Sequence, residues 1–95
     1  MPRPCRQRKV KRLPKCKIFK PAGVPRKGLE QTVLTLDEYE AIRLADYLKL
    51  EHLAAAEKMG ISRPTFTRLI EKARTKLASA IIDAKELVIE GGNID

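Results

Sequence analysis

From Phe66 to Ala84 apolar residues recur at helical spacing: Phe66, Leu69, Ile70, Ala73, Leu77, Ala80, Ile81 and Ala84. At 100° per residue they all fall in one stripe about 120° wide, so the spacing predicts a long amphipathic helix over 63–84. Ser62 supplies its N-cap. Pro64 falls in the first turn, where a missing N–H costs nothing. Ile82 lies off the stripe.

Two shorter helices are expected ahead of it. Thr35 and Glu38 make a capping box, and Asp37 and Glu38 place negative charge in a first turn, where the helix dipole favours it. Ala41, Leu44, Ala45 and Leu48 then give one buried face, so a helix is expected over 36–48. A second is expected over 51–59, in the run "EHLAAAEKM", where three alanines give high helix propensity and permit close approach. Gly60 closes it by taking the left-handed conformation. Ala55 and Ala56 are small residues where a following helix would cross. Gly60 sits four residues after Ala56, and Met59, Ile61, Phe66 and Leu69 are apolar residues placed to lock the pair. This set of offsets is a helix-turn-helix pattern. The expected fold is therefore mainly α: a three-helix, winged-helix or sigma-region-like domain over 18–95. Short strands at about 17–20 and 87–90 are candidates for a two-stranded ribbon, which needs to pack on the helices to be stable.

Charge divides the chain. Residues 1–30 carry eleven Lys or Arg against Glu30 alone, whereas residues 31–95 carry nine against eleven Asp or Glu. The nets of +10 and −2 sum to +8. Residues 1–17, "MPRPCRQRKVKRLPKCK", have no helical or strand period and little apolar surface, so they read as a basic arm, mobile without a partner. Such an arm is a nucleic-acid or anionic-surface feature. The long helix is basic on its outer face. If its first turns enter a major groove, Arg63, Thr65, Thr67 and Arg68 lie nearest the bases. Arginine can donate two bonds to guanine, and threonine can touch a thymine methyl or donate to a phosphate. Glu71 could accept from cytosine or pair with a basic neighbour along the helix. Ser62, Lys72, Arg74 and Lys76, with Arg3, Arg6, Arg8, Lys9, Lys11 and Arg12 of the arm, are assigned to the DNA backbone.

Other classes find less support. His52 is the single histidine and has no evident nucleophile partner; no phosphate loop is present, so no catalytic residue and no cofactor are assigned and an enzyme is not expected. Cys5 and Cys16 stand eleven apart without a second pair, which does not match structural zinc spacing, and no metal is assigned. No apolar run approaches a membrane span, and no hydrophobic segment follows the N-terminal charges, so a cytoplasmic location is expected.

Several blocks resemble one family: "MPRP" at the start, "FKPAGVP" at 19–25, "LTLDEYEAIRLADY" at 34–47, "AAEKMGISRPTFTRLIEKAR" at 55–74 and "IEGG" at 89–92. It is a small bacterial and archaeal family of predicted DNA-binding proteins, whose helix-turn-helix is similar to the DNA-reading region of sigma factors. The resemblance spans nearly the whole chain and implies a cytoplasmic DNA-binding protein, a transcriptional regulator of unspecified target. One departure is the opening of the second helix, where the family has a polar cap and acidic residues. Here Glu51, His52, Leu53 and Ala54 stand instead. Glu51 is a weaker cap, and Leu53 adds an apolar contact to the core or to a partner chain.

The function expected from sequence is sequence-specific binding of double-stranded DNA, with the arm on the backbone or an adjacent minor groove. The alternatives are an RNA- or ribosome-binding module and a protein-interaction adaptor. RNA readers commonly stack aromatics on bases, and only two Phe and two Tyr occur here. A homodimer through the long helix would account for Ile82.

Overall fold

In a computed structural model, the structure describes residues 8–25 and 27–92. Three helices pack beside a three-stranded sheet. Strand β1 is Ile18–Phe19, β2 is Gln31–Leu34 and β3 is Glu86–Ile89; helices α1, α2 and α3 are Leu36–Ile42, His52–Met59 and Arg63–Ile82.

Helix α1 starts where the sequence places it. The Thr35 hydroxyl accepts from the Glu38 N–H, and the Glu38 carboxylate accepts from the Thr35 N–H at 2.9 Å. The expected helix to Leu48 changes character after Ile42. Arg43–Tyr47 form a π-helical turn, with the Leu48 N–H bonded to the Arg43 carbonyl at 2.8 Å. Lys49 then takes φ 63 and turns the chain out. Helix α2 begins at His52 without a side-chain bond from Glu51, in keeping with the weak cap. Helix α3 is capped by Ser62 and stops at Ile82, two residues short of the expected end. Ala84 sits at φ 51, and the Lys85 N–H reaches back to the Ala80 carbonyl at 2.9 Å. This is a left-handed helix stop made with alanine in the place glycine normally takes.

The sheet corrects the expected two-stranded ribbon. β1 pairs antiparallel with β3, Ile18 opposite Val88 and Phe19 opposite Leu87. β2 adds a parallel strand on the other side of β3, Gln31 opposite Glu86 and Leu34 opposite Ile89. No strand is expected at 31–34 from sequence, yet its β-branched residues Thr32 and Val33 fit a pleated edge. All three helices connect the parallel pair.

Two apolar clusters hold the layers. Ala41, Leu44, Ala45, Ala55, Ala56, Met59, Phe66 and Ile70 fill the space between α1, the π turn, α2 and the first half of α3. Leu34, Ala73, Ala80, Leu87 and Ile89 join the sheet to the second half of α3. Ile42 packs against both. Truncating a fully buried aromatic such as Phe66 typically costs about 3–5 kcal/mol.

Candidate nucleic-acid interface

The joint between α2 and α3 is tight. Gly60 takes φ 69, and its N–H points back to the Ala56 and Glu57 carbonyls. The Ile61 N–H also reaches the Ala56 carbonyl, at 3.0 Å. Ala55, Ala56, Met59 and Phe66 are buried at the crossing, and Ile61 and Leu69 pack against them. The His52 ring stands edge-on to Phe66 with centroids 5.3 Å apart. The start of α3 is thus fixed relative to α2 by apolar contact on its inner face.

The outer side of α3 carries the polar residues picked from sequence. Arg63 is exposed. The Ser62 hydroxyl donates to Thr65 Oγ1 at 2.8 Å and accepts from the Thr65 N–H at 3.3 Å, so its first task is capping. Arg68 Nη2 lies 3.5 Å from Thr65 Oγ1. Thr65, Arg68 and Lys72 line one depression beside the helix. Thr67 is turned toward α2, where its hydroxyl meets His52 Nδ1 at 3.1 Å. Glu71 is exposed and its carbonyl accepts from the Thr75 hydroxyl.

Arg74 and Lys76, assigned to the backbone from sequence, are brought to acidic partners in the body of the domain. Arg74 donates through Nε and Nη2 to Asp46 at 3.1 and 2.6 Å. That pair of bonds holds the Asp46 carboxyl below the usual carboxylate range and raises the Arg74 guanidinium, with desolvation opposing both shifts. Lys76 Nζ donates to Glu38 Oε1 at 2.7 Å, onto a carboxylate that is buried.

Residues 8–11 of the basic arm are less free than its composition implies. Arg3, Arg6 and Cys5 lie outside the described residues. Beyond them, the Lys9 N–H donates to the Met59 carbonyl at 3.1 Å and the Lys11 N–H donates to Glu40 Oε2 at 3.0 Å. Arg8 Nε stands 3.8 Å from Asp37 Oδ2 and shares the depression lined by Arg68 and Lys72. Arg12 is exposed. Glu40 is 2% exposed and also accepts from Arg43 Nε and Nη2 at 2.7 and 2.9 Å. Those bonds raise the Arg43 guanidinium, against the desolvation that lowers it. Sequence reasoning assigned Asp37 only to the helix dipole and gave Glu40 no role. The one available signal was phase: Asp37 lies four residues before Ala41, on the helix face that is buried. Glu40 carries the same phase signal, four residues before Leu44, and has Arg43 three residues on as a local partner; only its bond from Lys11 of the arm has no local sign.

Leu53 is 56% exposed, so its contact is not with the core. Ile81, counted in the buried stripe, is 75% exposed, and Ile82 is 80% exposed. Ile81 instead edges an apolar groove of about 530 Å³ between α3, α1 and the sheet, lined also by Phe19, Leu34, Tyr39, Leu77 and Leu87. The Cys16 thiol is exposed and donates to the Ile18 carbonyl. Among the described residues, no group of three or more His, Cys, Asp or Glu is placed to hold a metal ion, and no helix is long and apolar enough to cross a membrane.

Of the blocks that carry the sequence resemblance, 19–25 starts at the end of β1, 34–47 runs along α1 and the π turn, 55–74 spans the α2–α3 joint and 89–92 closes β3, while "MPRP" lies outside the described residues. A family model described as "protein of unknown function DUF134" matches residues 1–95. The chain belongs to the DUF134 family. Relatives share its sequence along nearly its full length. A UPF0251 protein of Chloroherpeton thalassium is 85% identical over 95 residues, covering 100% of this chain and 63% of the relative. One from Desulforudis audaxviator is 46% identical over 95 residues, covering 100% of this chain and 62% of its own length. One from Dehalococcoides mccartyi is 49% identical over 92 residues, covering 97% and 79%. The chain therefore spans less than two thirds of the length of the first two. No solved structure matches.

Proposed function

We propose that α2 and α3 form a helix-turn-helix and that the chain binds double-stranded DNA, as a transcriptional regulator. The observation that carries this reading is the division of α3 by face. Phe66, Ile70 and Ala73 are fully buried, while Arg63, Arg68 and Lys72 stand exposed on the outer side. In this motif the second helix lies in the major groove and its N-terminal residues meet base edges. Arg63 and Arg68 are then the base readers, with Thr65 bonded between Ser62 and Arg68. Glu71 is exposed one turn further along and has the chemistry to accept from cytosine. Thr67 is committed to His52 and contributes less than its position in the sequence suggested. Phosphate contacts from Arg8, Lys9 and Lys72 supply most of the affinity, which falls steeply with salt.

The test is band-shift titration of the whole chain against duplexes selected from a random pool, against scrambled duplexes and against a structured RNA of equal length. Preference for the selected duplex supports the reading. Equal or tighter binding to the RNA, or no binding to any duplex, defeats it.

A further inference from the structure

We propose that Arg8 and Lys72 close a seat for one backbone phosphodiester of duplex DNA, with Arg68 on the same rim left to the bases, and that residues 8–11 are a fixed strap that brings Arg8 to it. This inference rests on the DNA-binding reading above. Residues from distant parts of the chain meet in one depression of about 490 Å³: Arg8 from the strap, Thr65, Arg68 and Lys72 from α3, and Asp37 and Glu38 beneath them.

The strap is tied at two points. The Lys9 N–H is bonded to the Met59 carbonyl at the end of α2, and the Lys11 N–H to the buried Glu40 carboxylate. Between these ties Val10 is half-buried. The carbon stem of Lys9 lies about 4.0 Å from where a Cβ on Gly60 would stand, so the strap passes beside the turn that launches α3. Arg43 holds Glu40 from the other side through two bonds. Glu40 is therefore a positioning residue, acting on the seat through the strap.

The charge balance decides what the seat takes. Asp37 and Glu38 are already engaged, Asp37 by Arg8 and the Thr35 hydroxyl, and Glu38 by Lys76 and the Thr35 N–H. Arg8, Arg68 and Lys72 line the depression with Asp37 and Glu38, and Lys76, outside that lining, is paired with Glu38, which leaves a net of two positive charges. Arg68 and Lys72 point this charge to solvent at an open rim. An open, cationic rim beside a helix placed in a major groove meets the phosphates that border that groove. A strap already tied to the fold adds little ordering cost when it binds.

The experiment scans a selected duplex with single methylphosphonate substitutions, each of which neutralises one phosphate. For the whole chain one position should weaken binding about tenfold, as expected for a lost charged hydrogen bond. That position should become silent in both Arg8→Gln and Lys72→Gln. Lys11→Pro removes the N–H that ties the strap together with the side-chain charge, and Lys11→Gln removes the charge alone. Only Lys11→Pro should shrink the penalty at the same position, while the penalties elsewhere persist. If Arg8→Gln fails to fold, Lys72→Gln and Lys11→Pro carry the comparison. Different positions going silent in the variants, or an unchanged pattern, overturns the seat while duplex binding stands. Inorganic phosphate should displace the duplex no better than chloride of equal ionic strength; stronger displacement would assign the seat to free phosphate and overturn the proposal. Absence of binding to every duplex overturns both this proposal and the reading it rests on.

Discussion

The Lys76 ammonium donates to the Glu38 carboxylate at 2.7 Å, joining the middle of α3 to the first turn of α1. Glu38 is 2% exposed and also completes the capping box through the Thr35 N–H. Removing one partner of a buried ion pair leaves a charge without compensation, which typically costs about 3–5 kcal/mol. Lys76 keeps some solvent contact, so Lys76→Met is expected to cost about 2–3 kcal/mol, with Lys76→Arg much milder. Thermal unfolding checks this. A Tm for Lys76→Met within about 2 °C of the parent would show that the pair contributes little.

Ala84 ends α3 in the left-handed region, a conformation that costs a residue bearing a Cβ about 1–2 kcal/mol. Ala84→Gly is therefore expected to stabilise the fold by up to about 1 kcal/mol, after the greater chain entropy of glycine is subtracted. The midpoint in urea should rise with the slope unchanged. A lower midpoint would place Ala84 in ordinary helical geometry.

Gly92 behaves in the opposite sense. At φ 98, a Cβ there would land on the Asp37 carboxylate and 2.8 Å from Thr35 Cβ, in the polar cluster that supports the cap of α1. Gly23, at φ 77, faces open space. Gly92→Ala should cost about 2–3 kcal/mol, compared with about 1 kcal/mol for Gly23→Ala. Equal losses in a paired denaturation experiment would refute the contact argument.

Asp46 and Arg74 make a pH-dependent contribution. The folded-state pKa of Asp46 lies below its unfolded value, so the stabilisation is fully present above about pH 4 and is lost as pH falls through the lowered pKa. Both side chains are substantially exposed, so solvent screening limits the pair to about 0–1 kcal/mol. Arg74→Gln should be slightly less stable than the parent at pH 7, and the gap should close in more acidic solution. A gap that widens on acidification would reverse the assignment.

On the proposed DNA-reading role of α3, Arg68→Ala is expected to lower discrimination between selected and scrambled duplexes by about 1–3 kcal/mol. Lys72→Ala should weaken both alike and reduce the salt slope by about one. Competition band shifts at two salt concentrations separate the two behaviours. Loss of affinity for all duplexes equally in Arg68→Ala would remove its base-reading role.

The three helices were legible because their signals are local. A capping box, an alanine run closed by glycine, and a serine followed by an apolar period each act within a few residues, through hydrogen bonds and side-chain spacing that a linear sequence displays. For the same reason Ser62, Gly60 and Phe66 could be assigned their structural roles from position alone. Contacts between distant residues were not legible. Strand β2 forms because β3, far along the chain, offers it a parallel partner, and no local period announces that. Ala84 stops α3 because β3 must turn back onto the sheet, although alanine itself favours helix. Whether Arg74, Lys76 and Thr67 face a ligand or the protein depended on where Asp46, Glu38 and His52 arrived in space. The sequence by itself determined a basic segment and an amphipathic helix with a polar outer face. Only the tertiary structure brought Arg8 beside Arg68 and Lys72, because two backbone N–H groups of the strap found acceptors on α1 and α2 that only folding assembles.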